Sequence, residues 1–185
     1  MNRVRIILAA ALLMLAAPAA FAQQGPAAAP ASGPEAVRGG MFDASDPAAL
    51  RRFMEEQGYR AELIKAGDNG DPVIKGRLSR SDYLIQFYEC ENGAFCNSVQ
   101  FIVQADKPAS LTLEQVNDFN ARWRYARANV VGGVVRLQMD LNLDAGVTAA
   151  NLEDTLDIWR QLVEFFERDM LGFGPRPAPG PQRVN

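Results

Sequence analysis

The chain has 185 residues, 22 Asp and Glu against 19 Lys and Arg, a net charge of −3, two cysteines and no histidine. The missing histidine excludes Ser-His-Asp and Cys-His nucleophile pairs, histidine-bearing zinc and copper sites, and histidine pH switching. The mild negative charge, without a block of Lys or Arg, argues against nucleic acid or an anionic membrane surface as partner.

Taken in chain order, the first 22 residues predict a secretory signal. Arg3 and Arg5 form a short basic start, Ile6 to Ala17 is a charge-free apolar run, and Ala20-Phe21-Ala22 is a small-x-small cleavage pattern. The run is too short to cross a bilayer, so no stable membrane anchor is expected. Cleavage between Ala22 and Gln23 would place the product in the periplasm or outside the cell, with a net charge of −5 once Arg3 and Arg5 are lost. Residues 23–44 are rich in Ala, Pro and Gly without apolar periodicity, and 174–185 form a Pro/Gly tail. Both compositions predict flexible segments, because neither buries enough apolar surface to offset the entropy of ordering. Residues 45–173 are left as one domain.

Within that domain Asp46-Pro47 caps a helix that Gly58 ends, with Leu50, Phe53, Met54 and Gln57 on one face. Tyr59 to Lys65 reads as a strand, and Asp68-Asn69-Gly70-Asp71 as a tight hairpin turn. Val73 to Leu78, Tyr83 to Cys90 and Ser98 to Gln104 read as further strands. Leu111 to Ala128 changes to helical period, with Thr112 and Gln115 as a capping box and Leu111 and Val116 as a hydrophobic staple. Its buried stripe is expected to be Val116, Phe119, Trp123 and Ala126. Val134 to Leu143 alternates strictly, and Thr148 starts a last helix running to about Met170. The order α-β-β-β-β-α-β-α predicts an α+β domain: a five-stranded antiparallel sheet with three helices, most simply covering one of its faces.

The stretch from Gly58 to Trp159 resembles the YbjN family of bacterial sensory transduction regulators. The resemblance is carried by GYRAELIKAGDNGDPVIKGRL, YLIQFYEC, LTLEQVNDFNARWRYARA and LQMDLNLDAGVTAANLEDTLDIW, in that order. It implies a fold similar to type III secretion chaperones, built for protein–protein contact, and it supplies no catalytic residues. The predicted signal peptide departs from the cytoplasmic role that the family description suggests.

Several constellations invite a chemical reading. Cys90 and Cys96 flank a five-residue loop between two strands, and export would place them where thiols oxidise, so a structural disulfide is expected. Asp140-x-Asn142-x-Asp144-x-Gly146 has the spacing of calcium ligands. Ala145 stands where the loop glycine belongs, however, and Asn151 where the bidentate Glu belongs, so the solvent-facing side of a strand whose leucines face the core is preferred and no metal is expected. Asp68 to Asp71 likewise reads as a turn before a metal site. Glu153, Asp154 and Asp157 lie in the first turns of the last helix, where negative charge suits the helix dipole better than acid–base chemistry. Ser81, Asp82 and Lys65 have no catalytic companions, and Arg122, Arg124 and Arg127 make a local basic face without a base-stacking platform.

On the last helix, Leu152, Leu156, Trp159, Val163 and Phe166 form a core stripe, and Ile158, Leu162 and Phe165 widen it to about half the helix, beyond the ~100° arc that a surface helix normally buries. Either a neighbouring helix or the tail covers this flank, or these three are a candidate interaction surface. The chain is therefore expected to be an exported, non-enzymatic domain that binds an unknown protein partner or a second copy of itself, without cofactor. The alternative is a binding domain for a small apolar or lipid-like ligand held between sheet and helices.

Overall fold

The structure, a computed structural model, describes residues 40–64 and 70–174. The expected signal peptide and its cleavage point at Ala22 and Gln23, most of the leading linker, Lys65, Asp68, Asn69 and the tail from residue 175 lie outside these residues. Among the described residues no helix is long and apolar enough to cross a membrane.

The chain starts earlier than the composition implies. Met41 and Phe42 form a short strand, β1, that pairs with β8 (Val147–Thr148). The Phe42 ring packs 4.9 Å from Phe53, and Ala44 is buried. A two-residue strand leaves no periodic signal, which is why residues 41–44 read as linker. Helix α1 (Pro47–Glu56) opens as expected: Asp46 accepts the Ala48 N–H at 2.9 Å, and Pro47 occupies the first turn, where a missing N–H costs nothing. Leu50, Phe53 and Met54 are buried, whereas Gln57 is exposed at the helix end.

Strands β2 (Glu62–Ile64), β3 (Val73–Leu78), β4 (Ser81–Tyr88) and β5 (Ser98–Asp106) follow as successive antiparallel neighbours. Helix α2 (Leu113–Arg122) begins with the expected capping box, Gln115 N–H to Thr112 Oγ1 at 3.2 Å and Thr112 N–H to Gln115 Oε1 at 2.8 Å. It ends six residues before the predicted Ala128. Trp123 is extended, Tyr125 has φ +72°, and Arg127–Val131 forms a strand, β6, where the apolar spacing predicts the end of the helix and a loop. The cause is the Gly132-Gly133 turn, whose φ values of +59° and +80° suit a two-residue hairpin and fold β6 back onto β7 (Val134–Asn142). Asn120 secures the edge: its side chain accepts the Ala128 N–H at 2.7 Å and donates to the Ala128 carbonyl at 3.0 Å. Helix α3 (Ala149–Asp169) is capped by Thr148, which accepts the Asn151 N–H at 3.1 Å.

The main sheet thus has six strands rather than five, in the order β2-β3-β4-β5-β7-β6, and every pairing is antiparallel. Strand side chains alternate between faces. Ile85 and Phe87 of β4, Val99, Phe101 and Val103 of β5, and Val135, Leu137 and Met139 of β7 point to one face and are buried. The helices close that face, with Trp159 5.5 Å from Phe101 and Phe166 6.4 Å from Phe119. Tyr83 belongs to the same layer and lies across Gly76, where an added Cβ would sit 2.3 Å from its ring and 2.5 Å from the Arg60 carbonyl. Only glycine allows that approach.

Candidate functional site on the open face of the sheet

The same alternation turns a second set of side chains away from the helices. On β5 these are Ser98, Gln100, Ile102 and Gln104. On β7 they are Arg136, Gln138, Asp140 and Asn142, and on β6 they include Arg127 and Asn129. Three strands place their amides and charges side by side, and the amides form a directed chain. Asn129 Nδ2 donates to Gln138 Oε1 at 2.7 Å, Gln138 Nε2 to Gln100 Oε1 at 2.7 Å, and Gln100 Nε2 to Asp140 Oδ1 at 2.6 Å. The second oxygen of Asp140 accepts from Arg127. Burial raises the Asp140 carboxyl, but the hydrogen bonds from Arg127 and Gln100, together with the Arg127 charge, outweigh it and leave its pKa below the usual value. Burial and the nearby Asp140 push the Tyr88 phenol upward.

At the other pole the chain is unfinished. The Nε of Arg136 and the Oδ1 of its cross-strand neighbour Asn129 are both buried without a hydrogen-bond partner. A buried polar atom left so costs about 1–3 kcal/mol, which a native structure tolerates where another group completes it. Beside Arg136 a groove of about 270 Å³ runs over Leu84 and Ile102, which oppose each other on β4 and β5. Gln86, Tyr88, Gln100, Gln104 and Gln138 complete its walls.

A second groove, about 750 Å³, lies at the β2–β3 end and includes Glu55, Tyr59, Arg60, Lys75, Arg77 and Asp82. Its charges are of both signs, and Arg77 is paired with Asp82 at 2.7 Å. The Tyr83 hydroxyl donates to the Arg60 carbonyl at 3.2 Å, and burial drives its pKa well above the ordinary value. Tyr59, also raised by burial and then by Asp157, points its hydroxyl toward that carboxylate at 3.5 Å.

The residues singled out from the sequence are scattered. Cys90 and Cys96 are bonded, with Cα atoms 3.9 Å apart, and the loop they close turns outward a Phe95 that is 66% exposed. The calcium-like spacing is divided: Asp140 is held by Arg127 and Gln100, while Asn142 Oδ1 accepts the Asp144 N–H at 2.9 Å. Glu153 and Asp154 are exposed on α3, and Asp157 pairs with Arg160 at 3.6 Å. Ser81 is buried in the β3–β4 hairpin. The three arginines do not form one basic face: Arg122 reaches Asp169 at 3.7 Å, Arg124 lies over Tyr125, and Arg127 reaches Asp140.

Of the two expectations for the flank of the last helix, the packing favours cover from within the chain. Leu162 is only 4% exposed and belongs to the core, and Ile158 and Phe165 are half-buried against it. The early end of α2 frees Trp123 to stack on Phe165, ring centroids 3.8 Å apart and nearly parallel, and the Arg168 guanidinium lies 5.0 Å from the Phe165 ring centre. Ile158, Leu162 and Phe165 are therefore largely covered from within the chain.

The family profile described as "Putative bacterial sensory transduction regulator", YbjN, matches residues 46–171. No curated protein matches the sequence. Among solved structures, the crystal structure of YbjN from E. coli, described there as "a putative transcription regulator", is similar at 16% identity and a TM-score of 0.48, covering 68% of this chain and 89% of that one. With the profile spanning most of the chain and nearly all of its described fold, the protein belongs to the YbjN family.

Proposed function

We propose that this chain is an exported member of the YbjN family that acts without catalysis, as a contact module in sensory or stress regulation, and that the open face of its sheet receives a protein partner. The observation that carries the reading is the one-sided sheet. Helices close one face, while the other presents Ile102, Gln104 and Arg136 beside an ordered amide chain. Pre-ordered side chains lose little freedom on binding, and a polar face with a small apolar strip suits a partner that comes and goes. Export is supported by the basic start, apolar run and Ala20-Phe21-Ala22 pattern. The space between sheet and helices is filled by Trp159, Phe101, Phe119 and Phe166, so the alternative of an apolar ligand held there draws no support from the packing.

Photo-crosslinking in the native host tests this reading. A photoreactive phenylalanine analogue replaces Ile102 on the open face or Glu153 on the exposed side of α3, and adducts are identified by mass spectrometry. Adducts specific to position 102 are expected, on a product whose N-terminus is Gln23. Absence of adducts from position 102, or the same set from both positions, overturns the contact face. An intact Met1 overturns export.

A further inference from the structure

Arg136 is an unpaired charge on the open face. A guanidinium carries five N–H donors and no acceptor, so it is completed only by acceptor oxygens. Three nearby acceptors are directed elsewhere: Gln138 Oε1 takes Asn129, Gln100 Oε1 takes Gln138, and Asp140 takes Gln100 and Arg127, while Asn129 Oδ1, across the strand from Arg136, is left buried without a partner. The Arg136 side chain makes no hydrogen bond or ion pair among the described residues. Asp106 lies on the same face of β5 and is exposed, yet forms no ion pair with it. Gln104 stands directly opposite on β5, and the groove beyond has an apolar floor of Leu84 and Ile102. A cation at one end of a small groove with glutamine walls and an apolar floor is complementary to a molecule with a carboxylate and a short apolar body.

We propose that the groove beside Arg136 is a binding site for a small organic acid anion, with its carboxylate on the Arg136 guanidinium and its apolar body on Leu84 and Ile102. The volume, about 270 Å³, sets the scale: a short-chain or single-ring acid fits, a long acyl chain does not. The site goes beyond the protein-contact reading, because a small ligand on this face would make the face responsive to a metabolite whether or not a protein docks there.

The test is two-dimensional amide NMR of residues 23–185 titrated with sodium hexanoate, with sodium acetate and 1-hexanol as controls. Hexanoate is expected to give saturable shifts confined to amides near Leu84, Ile102, Gln104 and Arg136, while acetate, lacking the body, and hexanol, lacking the charge, bind at least tenfold more weakly. Arg136→Gln is expected to weaken hexanoate at least tenfold, and Arg127→Gln, which breaks only the pair with Asp140, to leave it within about twofold. Gln104→Glu guards against a variant that fails to fold: it sets a carboxylate opposite Arg136, so it should fold at least as well as the parent and lose hexanoate binding. Absence of saturable shifts with hexanoate, equal binding of hexanol, or unchanged binding in Gln104→Glu overturns the site. The crosslinking experiment uses no ligand, so either reading can fail alone.

Discussion

Successive residues of β5 meet opposite surroundings. Val99, Phe101 and Val103 are closed against helices, and Phe101 is in ring contact with Trp159. Gln100, Ile102 and Gln104, each one residue away, face the other side, where Gln100 is joined to Gln138 and Asp140 and Ile102 floors a groove. The difference teaches that strand parity divides the labour of this sheet. The helix-side face holds apolar area, whose removal from water stabilises at roughly 25 cal/mol per Å². The other holds oriented polar groups, whose net contribution to stability is small and whose availability for contact is large.

The strongest break of this comparison is on the closed face. Trp159→Ala removes the largest fully buried side chain and leaves a cavity against Phe101, so a loss of about 3–5 kcal/mol is expected in denaturant unfolding. Replacing Cys90 and Cys96 together by Ala should cost about 2 kcal/mol, since a ring this short restricts the unfolded chain modestly. Equal melting temperatures for the oxidised parent and the double variant would contradict a structural role. Phe165→Glu separates covered from open apolar surface on α3: the loss of the Trp123 stack should cost about 1–3 kcal/mol without changing elution in size-exclusion chromatography. Loss of self-association with no change in stability would restore this flank as an interface.

The smallest effect belongs to the open face. Asp140→Asn should cost no more than about 1 kcal/mol at neutral pH, because the Arg127 pair is largely exposed. The sign with pH is fixed by the direction of the shift. The folded chain holds Asp140 at a lower pKa than the unfolded chain, so the parent is favoured above the ordinary carboxylate value and loses that increment as pH falls through the lowered, folded-state one. Melts of parent and variant should therefore converge in acid. A gap that widens in acid would contradict the pairing.

Local signals were legible in the sequence. Asp46-Pro47, the Thr112–Gln115 box and the alternation of β7 are written in neighbouring residues, and the structure forms each of them. Strand β6 was lost because Trp123 and Ala126 prolong the apolar spacing of α2, although Gly132-Gly133 was a hairpin signal in plain view. The open face was half legible. The strict alternation of residues 134–143 places Gln138 and Asp140 on one face, but their link to Gln100 depends on a register between residues 38 and 40 positions apart, which no local pattern encodes. The apolar width of α3 was read correctly and its cover was one of two expectations; that Trp123 supplies it was not legible, because Trp123 reaches Phe165 only after α2 has ended.

The division of the sheet is tested most directly by two neighbours on one strand. Ile102→Lys and Val103→Lys introduce the same charge one residue apart, and denaturant unfolding measures each against the parent. Val103 is 1% exposed beneath the helices, so its lysine should cost about 3 kcal/mol or more, whereas the Ile102 lysine extends over the open face and should stay within about 1 kcal/mol. Equal losses at the two positions would contradict the account.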